Sequence, residues 1–307
     1  MSHHDCPEST GEARDAGPIQ QRIRPRAKDL GGFSVRRLLP SASCRSVGPW
    51  VFFDHMGPAE FAPGPGINVR PHPHIHLATV SYLFEGEMWH RDSLGSDQRI
   101  RPGDINLMVA GRGIVHSERE RPEAMAQARR MNGLQLWLAL PAEQEDIAPA
   151  FHHYPAADIP ATEVEGVPLR VLMGAAYGLQ SPVRTFAQTL YVEASLQAGQ
   201  ALTLPAAPER ALYVAQGQLQ LEEQQLDGYD MALLCPEQTV RIVATAPTRV
   251  ALIGGEALGH RHMDWNFVSS RAEAITKAKA DWAAGRFPLV PGDEEEFIPY
   301  PSRPANA

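Results

Sequence analysis

Apolar residues along this chain occur in short runs that turn-forming residues interrupt at close intervals. Residues 76–84 are rich in Thr, Val, Tyr, Leu and Phe, and clusters containing Gly, Pro, Ser or Asp follow at residues 93–96, 102–104 and 111–113. Runs of β-branched and aromatic residues bounded by such clusters are typical of short strands joined by tight turns. The pattern predicts a strand meander that closes into a small barrel or jelly roll.

The same pattern resumes between residues 165 and 256. Short strand-like segments there are separated by Gly, Pro and Asp, and they lie at residues 169–173, 189–193, 211–215, 219–221, 231–234 and 250–253. No repeat is visible letter by letter, but the alternation of short strands and turn residues indicates a second barrel of the same kind. The chain therefore predicts an all-β fold with two barrels.

Changes in composition divide the chain into five parts. Residues 1–17 are rich in Ser, Glu, Asp, Gly and Pro, which predicts a disordered segment. Prolines and charges interrupt any strand pattern after residue 140, so residues 141–164 are predicted to be a linker. The other three parts are a first barrel at residues 18–140, a second barrel at residues 165–256, and a helix and tail at residues 257–307.

The C-terminal part contains a helix signal. Residues 270–273 read Ser-Arg-Ala-Glu, a capping-box pattern, and an alanine-rich stretch continues from it to Trp282. Gly285 can end this helix, and Trp282 is expected to pack against a barrel. The acidic run at residues 293–296 is predicted to be a solvated tail segment.

Charge and composition exclude several classes of protein. The 307 residues carry a formal net charge of -8, which disfavours a general nucleic-acid binder. No long apolar run and no hydrophobic signal core occur, so we expect a cytoplasmic protein that does not enter the membrane. Cys6, Cys44 and Cys235 are odd in number and far apart, which predicts reduced thiols.

Imidazole and carboxylate side chains recur at every second position in two short runs. The first run contains His72, His74 and His76, and the second contains His116 and Glu118. Alternate side chains of a strand point to the same face, so two such strands inside one barrel would direct these groups to a common point. We predict a metal site formed by His72, His74, His116 and Glu118.

The donor set narrows the choice of metal. Imidazole and carboxylate without thiolate suit iron(II), manganese, cobalt, nickel, copper or zinc. Four protein ligands on a six-coordinate metal leave two neighbouring positions open, which permits oxygenase chemistry, whereas a tetrahedral zinc closed by the same ligands would be structural. The second barrel is predicted to carry no metal, because no histidine occurs between His153 and His260.

Longer stretches of this sequence resemble the pirin family of the cupin superfamily. They lie at residues 72–86, 90–95, 102–104, 110–118, 261–270 and 287–299. The resemblance covers most of residues 18–300. It implies two cupin-type β-barrel (jelly-roll) domains with a short C-terminal helix, and it favours iron among the metals.

The resemblance also implies an activity that residue patterns alone do not show. Bacterial pirin-like proteins are related to quercetin 2,3-dioxygenase, which implies that O2 and a mononuclear iron open a flavonol or a similar small aromatic heterocycle. Glu118 would then bind the metal and accept the flavonol proton. The alternative is a non-enzymatic, iron-dependent regulator that binds a partner protein. A zinc sugar-phosphate isomerase is disfavoured because no phosphate cradle is evident.

Three further histidines are candidates for the surroundings of the metal. His55 and His90 can orient a metal ligand, contact substrate or bond within their own strands. His76 stands where the family usually has glycine, and a regular strand would place it on the inward face with His72 and His74. We expect a pocket residue that narrows substrate access; the alternatives are an added ligand or an outward residue on a bulged strand.

Apolar and aromatic side chains are expected around the metal. They are Phe52, Phe53, Tyr82, Phe84, Met88, Met108 and Trp137. Most of them should be ordinary core, because alternating strand residues fill a barrel. Those that face the metal would form a slot for a flat, poorly charged ligand.

Overall fold

The computed structural model describes residues 17–29, 33–236 and 238–301. The predicted all-β fold of two barrels followed by a helix is confirmed. The predicted disordered segment lies outside the described residues, apart from Gly17.

The first barrel consists of two antiparallel sheets. The strands of this half of the chain are β1 (Ile19–Ile23), β2 (Arg26–Asp29), β3 (Ser34–Leu39), β4 (Trp50–Phe61), β5 (Val69–His74), β6 (Leu77–Glu85), β7 (Met88–Asp92), β8 (Asp97–Ile100), β9 (Ile105–Val109), β10 (Ile114–Arg119), β11 (Arg129–Ala139) and β12 (Ala150–Tyr154). The larger sheet has seven strands in the order β12-β9-β6-β11-β4-β3-β2, and the smaller has four in the order β5-β10-β7-β8. A one-turn helix, α1 (Pro122–Met125), precedes β11.

The second barrel repeats this construction. Its half of the chain contains β13 (Ala161–Val164), β14 (Val167–Met173), β15 (Ala175–Ala176), β16 (Leu179–Gln180), β17 (Thr189–Leu196), β18 (Ala201–Thr203), β19 (Glu209–Gln216), β20 (Gln218–Leu221), β21 (Gln224–Asp227), β22 (Met231–Leu234), β23 (Arg241–Ala244) and β24 (Thr248–Gly255). The seven-stranded sheet has the order β1-β22-β19-β24-β17-β14-β13, and the four-stranded sheet has the order β18-β23-β20-β21. A separate two-stranded ladder, β25 (His262–Asp264) with β26 (Phe267–Ser269), follows the barrel.

The chain crosses between the barrels more often than composition indicates. Strand β1 lies in the range assigned to the first barrel, yet it pairs with β22 of the second barrel, with Ile23 opposite Met231. The range assigned to a linker contains β12, which pairs with β9, and β13, which pairs with β14. Residues 141–164 therefore extend the large sheet of each barrel as well as connecting the two.

The two seven-stranded sheets pack face to face and form the largest apolar core. Phe53 and Tyr82 of the first barrel meet Tyr213 and Tyr191 of the second, with ring centroids 4.8 and 6.3 Å apart. The buried Trp50 donates its indole N–H to a backbone carbonyl of the second barrel at 3.1 Å. Phe53 and Tyr82 thus pack between the barrels, because odd and even positions of a strand face opposite sides of the sheet.

The C-terminal helix, α2 (Ala272–Ala283), begins without the predicted capping box. Arg271 occupies the N-cap position and no side chain caps the helix. Ser270 instead donates its backbone N–H and its hydroxyl to the buried Glu145 carboxylate. None of the described helices is long and apolar enough to cross a membrane.

The end of α2 follows the prediction, and the tail after it folds back over the first barrel. Gly285 adopts a φ of +65° and donates its N–H to the Trp282 carbonyl at 3.1 Å. The Trp282 indole donates to the carbonyl of Ile298 at 3.0 Å. The acidic run is not uniformly solvated, because the Asp293 carboxylate is buried against two arginines of the first barrel.

Candidate metal centre

Two neighbouring strands of the small sheet carry the predicted ligands. In the ladder between β5 and β10, His116 lies opposite His72 and Ile114 lies opposite His74. The register shifts between His116 and Glu118, which is the signature of a bulge. The inward faces of β5 and β10 therefore direct three imidazoles into the barrel, as their spacing predicts.

These three histidines form one compact cluster. Each of His72, His74 and His116 offers a ring nitrogen, and these atoms lie within 4.8 Å of one another. The Nε2 atoms of His74 and His116 are 3.1 Å apart. No other group of three or more His, Cys, Asp or Glu side chains comes together in this way within the described parts of the chain.

Backbone carbonyls orient two of the rings. The Nδ1 atom of His72 bonds to the carbonyl of Arg70 at 2.8 Å, and the Nδ1 atom of His74 bonds to that of Asn266 at 3.0 Å. A carbonyl can only accept, so each Nδ1 carries the proton and each Nε2 carries a lone pair. Histidines that bind divalent transition metals in proteins commonly donate one ring N–H to such an acceptor, which directs the lone pair of the other nitrogen toward the metal.

Burial keeps the three rings neutral. It lowers the pKa of His72 to about 4 and lowers the pKa values of His74 and His116 well below the ordinary value. A metal binds the unprotonated imidazole, so protons do not compete for these nitrogens near neutral pH. The donor set and its protonation therefore fit a transition-metal ion.

Glu118 lies in the same barrel but outside the three-histidine cluster. Its side chain is buried, and its Oε1 atom accepts a hydrogen bond from the Gln135 amide. Burial raises the pKa of Glu118 above the ordinary value, although hydrogen bonds from Gln135 and Ser81 oppose the shift. The carboxyl group is thus a fourth ligand candidate, one of whose oxygens bonds to Gln135.

His90 lies beside the cluster, on the neighbouring strand β7. It stands opposite Glu118 in the ladder between β7 and β10, and its ring centroid is 5.3 Å from that of His116. Its Nε2 atom bonds to the buried Asp92 carboxylate at 2.9 Å, and its ring stacks on Phe151 at 4.3 Å. His90 therefore borders the histidine cluster without belonging to it and bonds to Asp92 of its own strand, while its roles in orienting a ligand or contacting substrate stay predictions.

The structure places His55 away from the histidine cluster. Its ring lies between the barrels, where Nδ1 bonds to the hydroxyl of Tyr213 and Nε2 bonds to the side-chain carbonyl of Asn132, both at 2.7 Å. Burial lowers the pKa of His55 to about 4. Its partners lie on β11 and β19, so a position between the barrels is a role that the sequence did not indicate for His55.

His76 departs from the expectation of a pocket residue. Strand β5 ends at His74, and His76 has a φ of +59°, in the left-handed region that favours glycine. Its ring turns to Ser269 at 2.9 Å and to the carboxylates of Glu145 and Asp146 at 3.3 Å each. The prediction that it shares an inward face with His72 is corrected, because the strand does not continue through this position.

An aromatic stack borders the cluster on the side of the large sheet. Trp137 meets His74 edge to face at a centroid distance of 4.9 Å and stacks on Phe52 at 3.8 Å. The Arg37 guanidinium covers the other side of Phe52 at 4.3 Å and pairs with Asp54 at 2.7 Å. Of the expected aromatic slot, Trp137 thus lies beside the histidine cluster, with Phe52 stacked on it.

Several contributors to the site were missed by sequence reasoning. Gln135 and Arg37 lie in ordinary strand patterns, and the carbonyl of Asn266 comes from the distant β25–β26 turn. Backbone carbonyls carry no side-chain signal. The one local hint on β11 is that leucines at 134, 136 and 138 alternate with Gln135 and Trp137, which therefore share the opposite face.

Comparison with known proteins places the chain among two-domain cupins. Residues 32–138 match the Pirin family model, and residues 191–288 match the model of the Pirin C-terminal cupin domain. A pirin-like protein of Caulobacter vibrioides is 47% identical, over 90% of this chain and 97% of that protein. A Pseudomonas aeruginosa protein with a provisional quercetin 2,3-dioxygenase name is 39% identical, over 92% of this chain and 88% of that protein.

A solved structure supports the same relationship. The crystal structure of a quercetin 2,3-dioxygenase from Acinetobacter baumannii aligns with a TM-score of 0.86 and 33% identity. The alignment covers 94% of this chain and 96% of that one. Both barrels therefore have counterparts in this relative.

Proposed function

The chain belongs to the pirin family of cupins, and from this premise we propose that it is a metal-dependent dioxygenase of the quercetinase type. The proposed reaction opens a flavonol, or a similar aromatic heterocycle, with O2 at a mononuclear iron(II). The observation that carries the proposal is the cluster of three buried, neutral imidazoles with a carboxyl group and an aromatic stack beside it. The 33% identity with a solved quercetin 2,3-dioxygenase supports this activity class.

His72, His74 and His116 would hold the metal, with Glu118 as the fourth ligand. When bound, the metal would act as a Lewis acid toward the flavonol oxygens and bring O2 beside them. Zinc, nickel, manganese, cobalt and copper suit the same donors, and iron(II) is the family-based choice.

Glu118 would accept the flavonol proton. Burial raises the pKa of Glu118 in the metal-free protein, and a carboxylate held beside the flavonol hydroxyl can take its proton. Gln135 supplies a hydrogen bond that can orient the carboxylate while it takes the proton. Phe52 and Trp137 would exclude water and offer flat apolar surface to the aromatic substrate.

The direct test is oxygen consumption by protein that is purified and loaded with iron(II) without air. We expect turnover with flavonols that falls at least about a hundredfold in Glu118→Gln, because the amide cannot take a proton. Metal content should fall less than turnover. Glu123→Gln is the matched control, since Glu123 lies on the exposed helix α1.

Two results would contradict the proposal. Fully iron-loaded protein that consumes no oxygen with any flavonol would reject the dioxygenase activity and favour the regulator that binds a partner protein. Full turnover in Glu118→Gln would reject the role of this carboxylate as the proton acceptor.

A further inference from the structure

The tail segment, residues 292–298, crosses the outer face of the sheet whose inner face carries the metal ligands. The backbone N–H of Ile298 bonds to the carbonyl of Pro71 on β5 at 2.8 Å. At the other end, the carbonyl of Gly292 accepts a bond from Arg91 on β7 at 2.6 Å. The tail segment therefore contacts strands on both sides of β10 from outside the barrel.

One carboxylate at the start of the tail segment bonds to two strands at once. The Asp293 side chain accepts two bonds from Arg119 of β10, at 2.6 and 2.7 Å, and one from Arg91 of β7, at 2.8 Å. Its side chain is 8% exposed, whereas Glu294 and Glu295 beside it are exposed. Burial opposes ionisation, yet the hydrogen bonds from Arg119 and Ser117 and the charges of Arg119 and Arg91 together hold the pKa of Asp293 below the ordinary value.

The register links this outer contact to the inner site. Arg119 follows Glu118 and Arg91 follows His90, while Glu118 and His90 stand opposite each other in the β7–β10 ladder. Neighbouring residues of a strand point to opposite faces. Asp293 thus joins the outward side chains Arg91 of β7 and Arg119 of β10. The residues that precede them, His90 and Glu118, point inward and border the histidine cluster.

We propose that Asp293 is a positioning residue of the metal centre, which fixes β7 against β10 from outside and so sets where Glu118 and His90 stand relative to His116. A bidentate carboxylate–guanidinium contact has a defined geometry and resists shear between the strands that it joins. A bulge interrupts the β5–β10 register beside Glu118, whereas the β7–β10 ladder is regular there, so the position of Glu118 depends on how β10 is held against β7. The proposal rests on the metal centre and does not require flavonol turnover.

The experiment titrates Co²⁺ into the metal-free, full-length protein under argon. Visible absorption of bound Co²⁺ reports the coordination geometry, and the titration gives the dissociation constant. We expect Asp293→Asn to weaken Co²⁺ binding about tenfold and to shift the absorption bands. This loss is at the lower end of what removing a residue that supports a metal ligand causes. Asp293→Glu keeps the charge and should restore most of the affinity.

The chain offers a matched control in Asp281. Its carboxylate also bonds to two cationic side chains, Lys277 and Arg286, but it lies on α2. Asp281→Asn should leave both the Co²⁺ affinity and the spectrum unchanged. Urea unfolding and far-ultraviolet circular dichroism of each metal-free variant would separate a change in the site from a loss of fold.

The outcomes are distinguishable. A folded Asp293→Asn protein with the wild-type Co²⁺ affinity and spectrum would overturn the proposal, as would an equal loss of affinity in Asp281→Asn. If Asp293→Asn fails to fold, Asp293→Glu decides the question. A folded Asp293→Glu protein that binds Co²⁺ no better than unfolded chain would also overturn the proposal. Wild-type protein that binds no Co²⁺ would reject the metal centre, whereas Co²⁺ binding without flavonol turnover would reject only the proposed reaction.

Discussion

Replacing Glu145 by Gln should destabilise the protein strongly, although this residue lies outside the metal cluster. Glu145 has no exposed surface and accepts bonds from the hydroxyls of Ser269 and Ser270 at 3.1 and 3.0 Å. Its carboxylate also lies 3.6 Å from the Arg261 guanidinium and 3.3 Å from the His76 ring. It therefore connects the turn after β5 with the segment that leads into α2.

The magnitude depends on Arg261. This side chain is 8% exposed, so its charge cannot turn to water when the carboxylate is removed. Leaving one partner of a buried ion pair uncompensated costs about 3 to 5 kcal/mol. Arg271, the other arginine at Glu145, is 43% exposed and adds little, because its charge is screened by solvent.

Calorimetry of the metal-free protein provides the assay. At roughly 2 °C per kcal/mol for a chain of this size, we expect the melting temperature of Glu145→Gln to fall by about 6 to 10 °C. The control is Glu143→Gln, since Glu143 is exposed two residues before Glu145, on the short 3-10 helix Ala142–Gln144, and should melt as wild type does. A Glu145→Gln protein that melts within about 1 °C of wild type would refute the view that Glu145 neutralises a buried charge.

Three other predictions concern the histidines. His72→Ala combined with His116→Ala should hold almost no iron or zinc by elemental analysis, and full occupancy would reject the ligand assignment. The folded-state pKa of His55, about 4, lies below the unfolded value of about 6.5, so the unfolded chain binds more protons. Stability should therefore fall by about 3 kcal/mol as the pH drops from 6.5 to 4, and a nuclear magnetic resonance titration midpoint for His55 near 6.5 would contradict this. His76→Gly should keep its metal and its flavonol selectivity, because this ring faces Glu145; broader substrate use would restore the pocket interpretation.

The sequence predicts the histidine cluster because its information is local. His72, His74 and His116 lie in regular strands, where a period of two decides which face a side chain occupies. The prediction for His76 does not hold, because it extends the period of two beyond His74, where β5 ends. His76 itself adopts a left-handed φ, so its side chain does not follow the alternation of the strand. A glycine at this position in the family indicates an unusual φ, and that indication outweighs the strand pattern.

The contacts that sequence reasoning missed join residues far apart in the chain. Ser270 belongs to a capping-box pattern, but Glu145, more than a hundred residues earlier, takes its hydrogen bonds. Asp293 belongs to an acidic run typical of solvated tails, yet it meets Arg119. Both contacts depend on the surface against which a distant segment packs. A local sequence pattern does not predict that surface.

The pairing of β1 with β22 has a consequence for synthesis of the chain on the ribosome. Ile23 is synthesised more than two hundred residues before its partner Met231. At roughly 5 to 20 residues per second, β1 waits about 10 to 40 s for the strand that it completes. The large sheet of the second barrel therefore cannot be completed until the chain has been synthesised through β22.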